Sequence, residues 1–350
     1  MKHKTTFIGA IVSLLIITSC GVNFEALKKE ENKYNLSTTE QLTDSIYASR
    51  IEDFYNGGTE GSFEGKDSVK IYYKTFRQKQ SGDMAIVISA GRTEAAIKYK
   101  ELIFDLYNNG YSVYIHDHRG QGLSGRMIEN TDMGYIDDFQ YYIDDMKFFY
   151  DNIVKKGDHD KIYLLAHSMG GAIGMTYLEQ NSGDFVAAAF SSPMLGLVPP
   201  GCSTVKLFHL DKNDYAMGES KYHDDKVAFK DNKLTGSEIR YKRMNSAFAK
   251  VPDAKLGGAS YHWVYKSCKQ FDYINSNINN IQTPFILFSA ENEQIVDPKA
   301  HQQFVDKAKK LGKNCKGYLV KNAQHELLIE KDEQRIEVIS KILDFYKNIN

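Results

Sequence analysis

Short, nearly unbroken apolar runs recur along the chain, and between them apolar residues return every third or fourth position. Met84–Ser89, Tyr111–Asp117, Ile162–Ala166, Phe185–Phe190, Pro284–Ser289 and Gly317–Val320 are runs of the first kind. Strands buried on both faces of a parallel sheet read this way. Lys98–Tyr107, closed by Gly110, has the helical period. So does the stretch marked by Phe139, Tyr142, Ile143, Met146, Phe149, Tyr150 and Ile153. Asp297-Pro298 opens a further helix running to about Leu311, and Glu333–Tyr346 closes the chain with Ile336, Ile339, Ile342 and Leu343 inward. Before the first run, Phe63–Gly65 and Val69–Phe76 read as an antiparallel pair turning at Gly65-Lys66-Asp67. Strand, helix, strand at this spacing predicts an α/β fold with a mostly parallel sheet and right-handed crossovers.

Two stretches depart from this alternation. Residues 195–280 scatter Phe208, Tyr215, Tyr222, Phe229, Tyr241, Phe248, Trp263 and Phe271 through polar sequence with no strand-helix rhythm. The N-terminus has a short positive segment, Met1–Lys4, and an apolar run from Phe7 to Ile17, too short for a stable bilayer span. Ile17-Thr18-Ser19-Cys20 follows and resembles the lipobox of bacterial lipoproteins. That resemblance implies a signal peptide over 1–19, lipidation of Cys20 and attachment to the membrane of a bacterial cell envelope. Gly21-Val22 carries no aspartate, so nothing argues for retention at the inner membrane; the outer membrane is the preferred expectation, with the final membrane and leaflet left open. Residues 20–46 are polar and charged and read as a tether, with the folded domain at 47–350.

The net charge of −1 removes any expectation of a nucleic-acid partner. Nothing in the sequence sets an oligomeric state. The four cysteines, Cys20, Cys202, Cys268 and Cys315, match no zinc spacing. With Cys20 in the targeting segment, three buried thiols are expected; a Cys202–Cys268 bridge is the alternative open to an exported protein.

The candidate chemistry sits in Lys161–Gly171. An apolar strand stops at His167-Ser168-Met169 and a helix opens at Gly170-Gly171. A serine on such a turn resembles the nucleophile elbow of α/β-hydrolases, with Ala166 at the usual first glycine. The resemblance implies a triad in the order serine, acid, histidine. Ser168 is then the nucleophile and His325, in the loop after the last strand, the base. His301 lies within a helix and is expected at the surface. Glu291, Glu293 and Asp297 all follow the preceding strand. Asp297 before Pro298 suits a helix N-cap, and Glu293 is the preferred acid. The oxyanion donors are the backbone N–H groups of Met169 and Arg92. Asp117-His118-Arg119-Gly120-Gln121-Gly122-Leu123-Ser124 resembles a structural loop of the same superfamily, with Asp117 and Arg119 orienting it. A metal at His116 and His118 lacks a carboxylate partner at ligand spacing, so no metal and no cofactor are expected. Residues 195–280 become a cap inserted over the site.

From about Gly61 onward the chain looks like bacterial lysophospholipases of the monoacylglycerol-lipase-like branch. The likeness is carried by Gly91–Glu94 through Lys98–Lys100, Asp117–Arg126, Ala166–Ile173 and His325–Asp332. It implies a lipid or ester substrate: the acyl ester of a lysophospholipid or monoacylglycerol, cleaved through an acyl-enzyme. Residues 201–280 carry 13 Lys+Arg against 9 Asp+Glu, a surplus open to a phosphate headgroup or simply solvated. A carboxylesterase or peptidase of the same fold shares every motif, and a non-catalytic lipoprotein on this scaffold is the second class.

Overall fold

The computed structural model describes residues 23–79, 83–223 and 227–349. In chain order the elements are β1 (Glu25–Ala26), α1 (Thr39–Thr43), α2 (Ser45–Asn56), β2 (Thr59–Glu64), β3 (Lys70–Phe76), β4 (Met84–Ser89), α3 (Lys100–Asn108), β5 (Tyr111–His116) and α4 (Gln140–Phe149). Then come β6 (Lys161–His167), α5 (Met169–Gln180), β7 (Ala187–Ser191), α6 (Gly201–Leu207), α7 (Glu238–Lys250), α8 (Tyr261–Asn277), β8 (Phe285–Ala290), α9 (Pro298–Lys310), β9 (Cys315–Val320) and α10 (Asp332–Asn348).

Among the described residues, nine strands form one sheet in the order β1-β9-β8-β7-β6-β4-β5-β3-β2. From β5 to β1 every pairing is parallel, and β3 and β2 add an antiparallel edge. Each face of the sheet carries a core. Phe149, Ile173, Phe190 and Phe285 belong to the one under α4, α5 and α9, and Ile88, Ile103, Ile286 and Leu343 to the one under α3 and α10. Every residue of β5, β7 and β8 is buried, the two-sided burial that their apolar runs announce. Residues 195–280 add no strand to the sheet. Their helices α6, α7 and α8 lie between β7 and β8 in the chain.

Three expectations need correction. Residues 24–43 are not a free tether. β1 pairs with β9, Leu36 is 1% exposed, and the N–H and hydroxyl of Ser37 both donate to Asp105 Oδ1, at 3.0 and 2.6 Å. A few apolar anchors spaced through polar sequence, Phe24, Tyr34 and Leu36, are enough because their polar neighbours find partners. Cys202 and Cys268 are not free thiols but form a disulfide joining α6 to α8, which leaves Cys315 free among the described cysteines. His301 is not at the surface. It is buried with Nδ1 2.9 Å from Ser289 Oγ and Nε2 2.7 Å from the Pro193 carbonyl, so both ring nitrogens are satisfied.

Candidate active site

β6 delivers Ser168 and α5 starts one residue later. Ser168 has φ 51° and ψ −119°, a conformation that ordinarily costs ~1–3 kcal/mol and persists only where neighbours over-determine it. Here its N–H donates to Ser191 O at 3.1 Å, and its carbonyl accepts from Gly171 and Met194, each at 2.8 Å. A Cβ at Gly170 would lie 2.1 Å from the Ser89 carbonyl, so only glycine lets the helix start close against β4. The methyl of Ala166 meets no obstacle on α5: even a Cβ built at Gly174 would lie 3.4 Å from it, an ordinary contact.

The loop after β9 brings His325 Nε2 to 3.0 Å from Ser168 Oγ. The loop after β8 brings Glu293 to its other side, with the carboxylate oxygens 2.9 and 2.8 Å from His325 Nδ1. Facing a carboxylate, Nδ1 carries the proton, which leaves Nε2 free to accept from the serine hydroxyl. The Glu293 side chain is sealed from solvent. Burial alone would raise its carboxyl, but His325 and the Ile295 N–H outweigh it and hold the group down at about 2. The three acids after β8 have separate partners. Glu291 accepts from the Asn322 N–H at 2.8 Å, and Asp297 caps α9 by accepting from the Lys299 N–H at 2.9 Å.

The turn after β4 carries Arg92. Gly91 N–H donates to Glu94 Oε2 at 2.6 Å, and the Gln121 amide donates to the carbonyls of Gly91 and Glu94 at 2.7 and 2.9 Å. The Arg92 side chain reaches out to Gly257 O at 3.1 Å and Glu219 at 3.2 Å and lies over the Trp263 ring. The turn is thereby tied to the segment between β7 and β8, a clamp that a reading of backbone donors alone does not contain. Met169 is the first residue of α5, where N–H groups have no partner within the helix. Asp117 accepts from the Ala96 and Leu123 N–H groups at 2.7 and 2.8 Å, and burial lifts its carboxyl to about 6. Arg119 pairs with Asp145 through two 2.7 Å bonds, both side chains buried. Cys20 lies outside the described residues.

Ser168, His325 and Arg92 line a cavity of about 520 Å³. Its walls are largely apolar, with Met194 and Leu197 after β7, Leu234, Met244 and Phe248 around α7, and Val296 opposite. Lys255 and Glu219 also face it.

Glu94, Lys98 and Glu326 line the same cavity and, with His167, form a buried cluster that the sequence reading did not assign. Lys98 Nζ is 2.6 Å from Glu326 and in direct contact with Glu94, and His167 Nε2 lies 3.1 Å from Glu326 and 3.6 Å from Glu94. Glu94, His167 and Glu326 stand within 4.8 Å of one another, and the Lys98 ammonium pairs with both carboxylates. The signal was present in the sequence: Glu94 and Lys98 are four apart on the turn, His167 precedes the serine, and Glu326 follows the histidine.

A serine on a strained strand-to-helix turn, with a histidine and a carboxylate delivered in chain order at the C-terminal edge of a parallel sheet, makes this chain an α/β-hydrolase. Residues 80–332 match the family model described as serine aminopeptidase, S33, and the chain belongs to that family. Lysophospholipase L2 of Escherichia coli strain K12 is 34% identical over 311 residues, covering 86% of this chain and 91% of that protein. A probable lysophospholipase L2 of Haemophilus influenzae is 33% identical over 287 residues, covering 80% and 90%. Among solved structures, a soluble variant of the Saccharomyces cerevisiae monoglyceride lipase, bound to a substrate analog, superposes with a TM-score of 0.65. It has 18% identity and covers 84% of this chain and 95% of that one.

Proposed function

We propose that this protein hydrolyses the acyl ester of a monoacyl glycerolipid, a lysophospholipid or a monoacylglycerol, through an acyl-enzyme on Ser168. The observation that carries the reading is the Ser168–His325–Glu293 chain of hydrogen bonds opening onto an apolar-walled cavity. The nearly full-length relatives named lysophospholipases favour a lipid ester over a peptide. His325 Nε2 takes the Ser168 proton as Oγ attacks the ester carbonyl. The backbone N–H groups of Met169 and Arg92 receive the oxyanion, a contribution of ~3 kcal/mol for such a donor. His325 then gives its proton to the departing glycerol oxygen, leaving Ser168 acylated. Water, deprotonated by His325, attacks the acyl carbon, and the carboxylic acid leaves as Oγ regains its proton. Glu293 stays ionised throughout and stabilises the imidazolium. The apolar walls take the acyl chain.

A fluorophosphonate should label the wild type stoichiometrically and Ser168→Ala not at all; labelling that survives the substitution refutes the nucleophile. Turnover of lysophospholipids and monoacylglycerols above that of short p-nitrophenyl esters is expected, and the reverse order refutes the lipid reading. The N-terminal sequence also supports lipidation of Cys20 and anchoring in a bacterial envelope membrane.

A further inference from the structure

The buried cluster at the cavity wall beside Ser168 touches each part of the proposed machinery without taking part in bond making. Glu94 holds the Gly91 N–H at the turn that carries Arg92. His167 is the residue before the nucleophile, and its ring lies 4.9 Å from that of His325. Glu326 is the residue after His325. Lys98, on the same turn as Glu94, joins Glu94 and Glu326. All four side chains are buried, with relative exposures of 1% to 7%.

Its protonation follows from geometry. His167 Nδ1 is 3.0 Å from the Ser191 carbonyl, which can only accept, so Nδ1 carries a proton. Nε2 faces Glu326 at 3.1 Å, an ion-pair distance though not aligned as a hydrogen bond, with the Glu94 carboxylate just beyond. Two carboxylates on that side require a second proton, making His167 an imidazolium. Burial works against the charge, but Glu326 and Glu94 outweigh it and raise His167 above the ordinary imidazole range. They act on Lys98 in the same direction. Two cations therefore face two carboxylates. The other titratable groups against the cluster and His325 are Tyr99, whose hydroxyl donates to Glu94 and which burial keeps protonated, Glu293, and beyond it His301, whose imidazole burial pushes below its ordinary range.

We propose that Glu94, Lys98, His167 and Glu326 are positioning residues that form a charge-balanced base beneath His325, so that its only uncompensated charge partner is Glu293. The inference rests on the hydrolase reading above. Were Glu326 and Glu94 unbalanced, their added negative charge would hold His325 protonated and unable to accept from Ser168. Were the cations unbalanced, the imidazolium formed during attack would be destabilised. Among side chains as buried as these, an unbalanced charge a few ångströms away is only weakly screened.

The test is the pH profile of kcat/KM with a soluble p-nitrophenyl ester, whose acid limb reports protonation of the base in the free enzyme. Lys98→Met, which leaves the cluster one charge negative, should move the acid limb up by about one pH unit. Glu326→Gln and Glu94→Gln, each one charge positive, should move it down. The double variant Lys98→Met/Glu94→Gln restores neutrality without restoring either native group, and its limb should return to the wild-type position. Lys98→Arg should leave it in place. Thermal melts identify any variant that fails to fold, and the two glutamine variants and the double variant then carry the comparison. Limbs that coincide in all folded variants, or shift in one direction whatever the sign of the charge change, overturn the proposal. A wild type with no Ser168-dependent esterase activity overturns the hydrolase reading instead, so the two failures are distinguishable.

Discussion

Glu293 and Asp297 stand four residues apart after β8 and do different work. One holds the imidazole of His325; the other caps α9. Glu293→Gln should lower kcat by ~10⁴ if it behaves as a triad acid does elsewhere, because an amide cannot stabilise the imidazolium. Asp297→Asn should cost about 1 kcal/mol of stability or less and little rate. Kinetics and melts on both variants decide, and an inactive Asp297→Asn beside an active Glu293→Gln would reverse the assignment. Glu179, on α5, is a residue with a different problem. It is 6% exposed and neither carboxylate oxygen has a hydrogen-bond partner. Burial pushes its carboxyl up to about 9. A folded value raised above the unfolded one means that its contribution is fully present below about pH 4.3 and is lost as pH rises through about 9. Glu179→Gln keeps the shape and removes the ionisation. It should stabilise the protein by about 1–3 kcal/mol at pH 8 and by nothing measurable at pH 4. Denaturant melts at the two pH values check this; an equal effect at both would mean that the carboxyl is not titrating against folding.

At the scale of elements, what the sequence disclosed and what it withheld divide on physical grounds. β4, β6 and β8 were legible because two-sided burial leaves an apolar run that needs no partner to be recognised. Ser168 was legible because its turn demands small neighbours within a few residues, and His325 because chain order left little choice. The Cys202–Cys268 bond was not, since pairing depends on where α6 and α8 lie and not on the 66 residues between them. His301 was misread for the same reason: its partners, Ser289 and the Pro193 carbonyl, come from elsewhere in the chain. The disulfide also has a job to do. α6 buries only Val205, Leu207 and Phe208 are 72% and 66% exposed, and its other tie to α8 is the solvent-exposed Lys206–Asp272 ion pair, worth little in water. Closing a loop of this length is worth ~4 kcal/mol by loop-closure entropy. Reduction, or Cys202→Ala with Cys268→Ala, should lower Tm and open bonds between residues 200 and 223 to limited proteolysis, while the sheet keeps its protection. Unchanged cleavage after reduction would show that packing alone holds α6.

Across the whole molecule, the N-terminal segment changes how membrane attachment would work. The proposed lipid on Cys20 is tested by palmitate labelling: the label should enter the wild type and not Cys20→Ser, which should be released in soluble form. A mature chain that still begins at Met1 would refute it. Among the described residues no helix is long and apolar enough to cross a membrane. The folded body was expected to begin near Tyr47, but among the described residues it already includes β1 at Glu25, bonded to the edge of the sheet. Its apolar anchors were too few and too far apart to stand out from the charged residues around them. Five residue steps separate Cys20 from Glu25, at most about 18 Å of fully extended chain. With the proposed lipid on Cys20, an enzyme on so short a leash would patrol a layer one molecule deep. Its supply would then be set by how many substrate molecules share each patch of bilayer, and dilution of the surrounding medium would leave its rate unchanged.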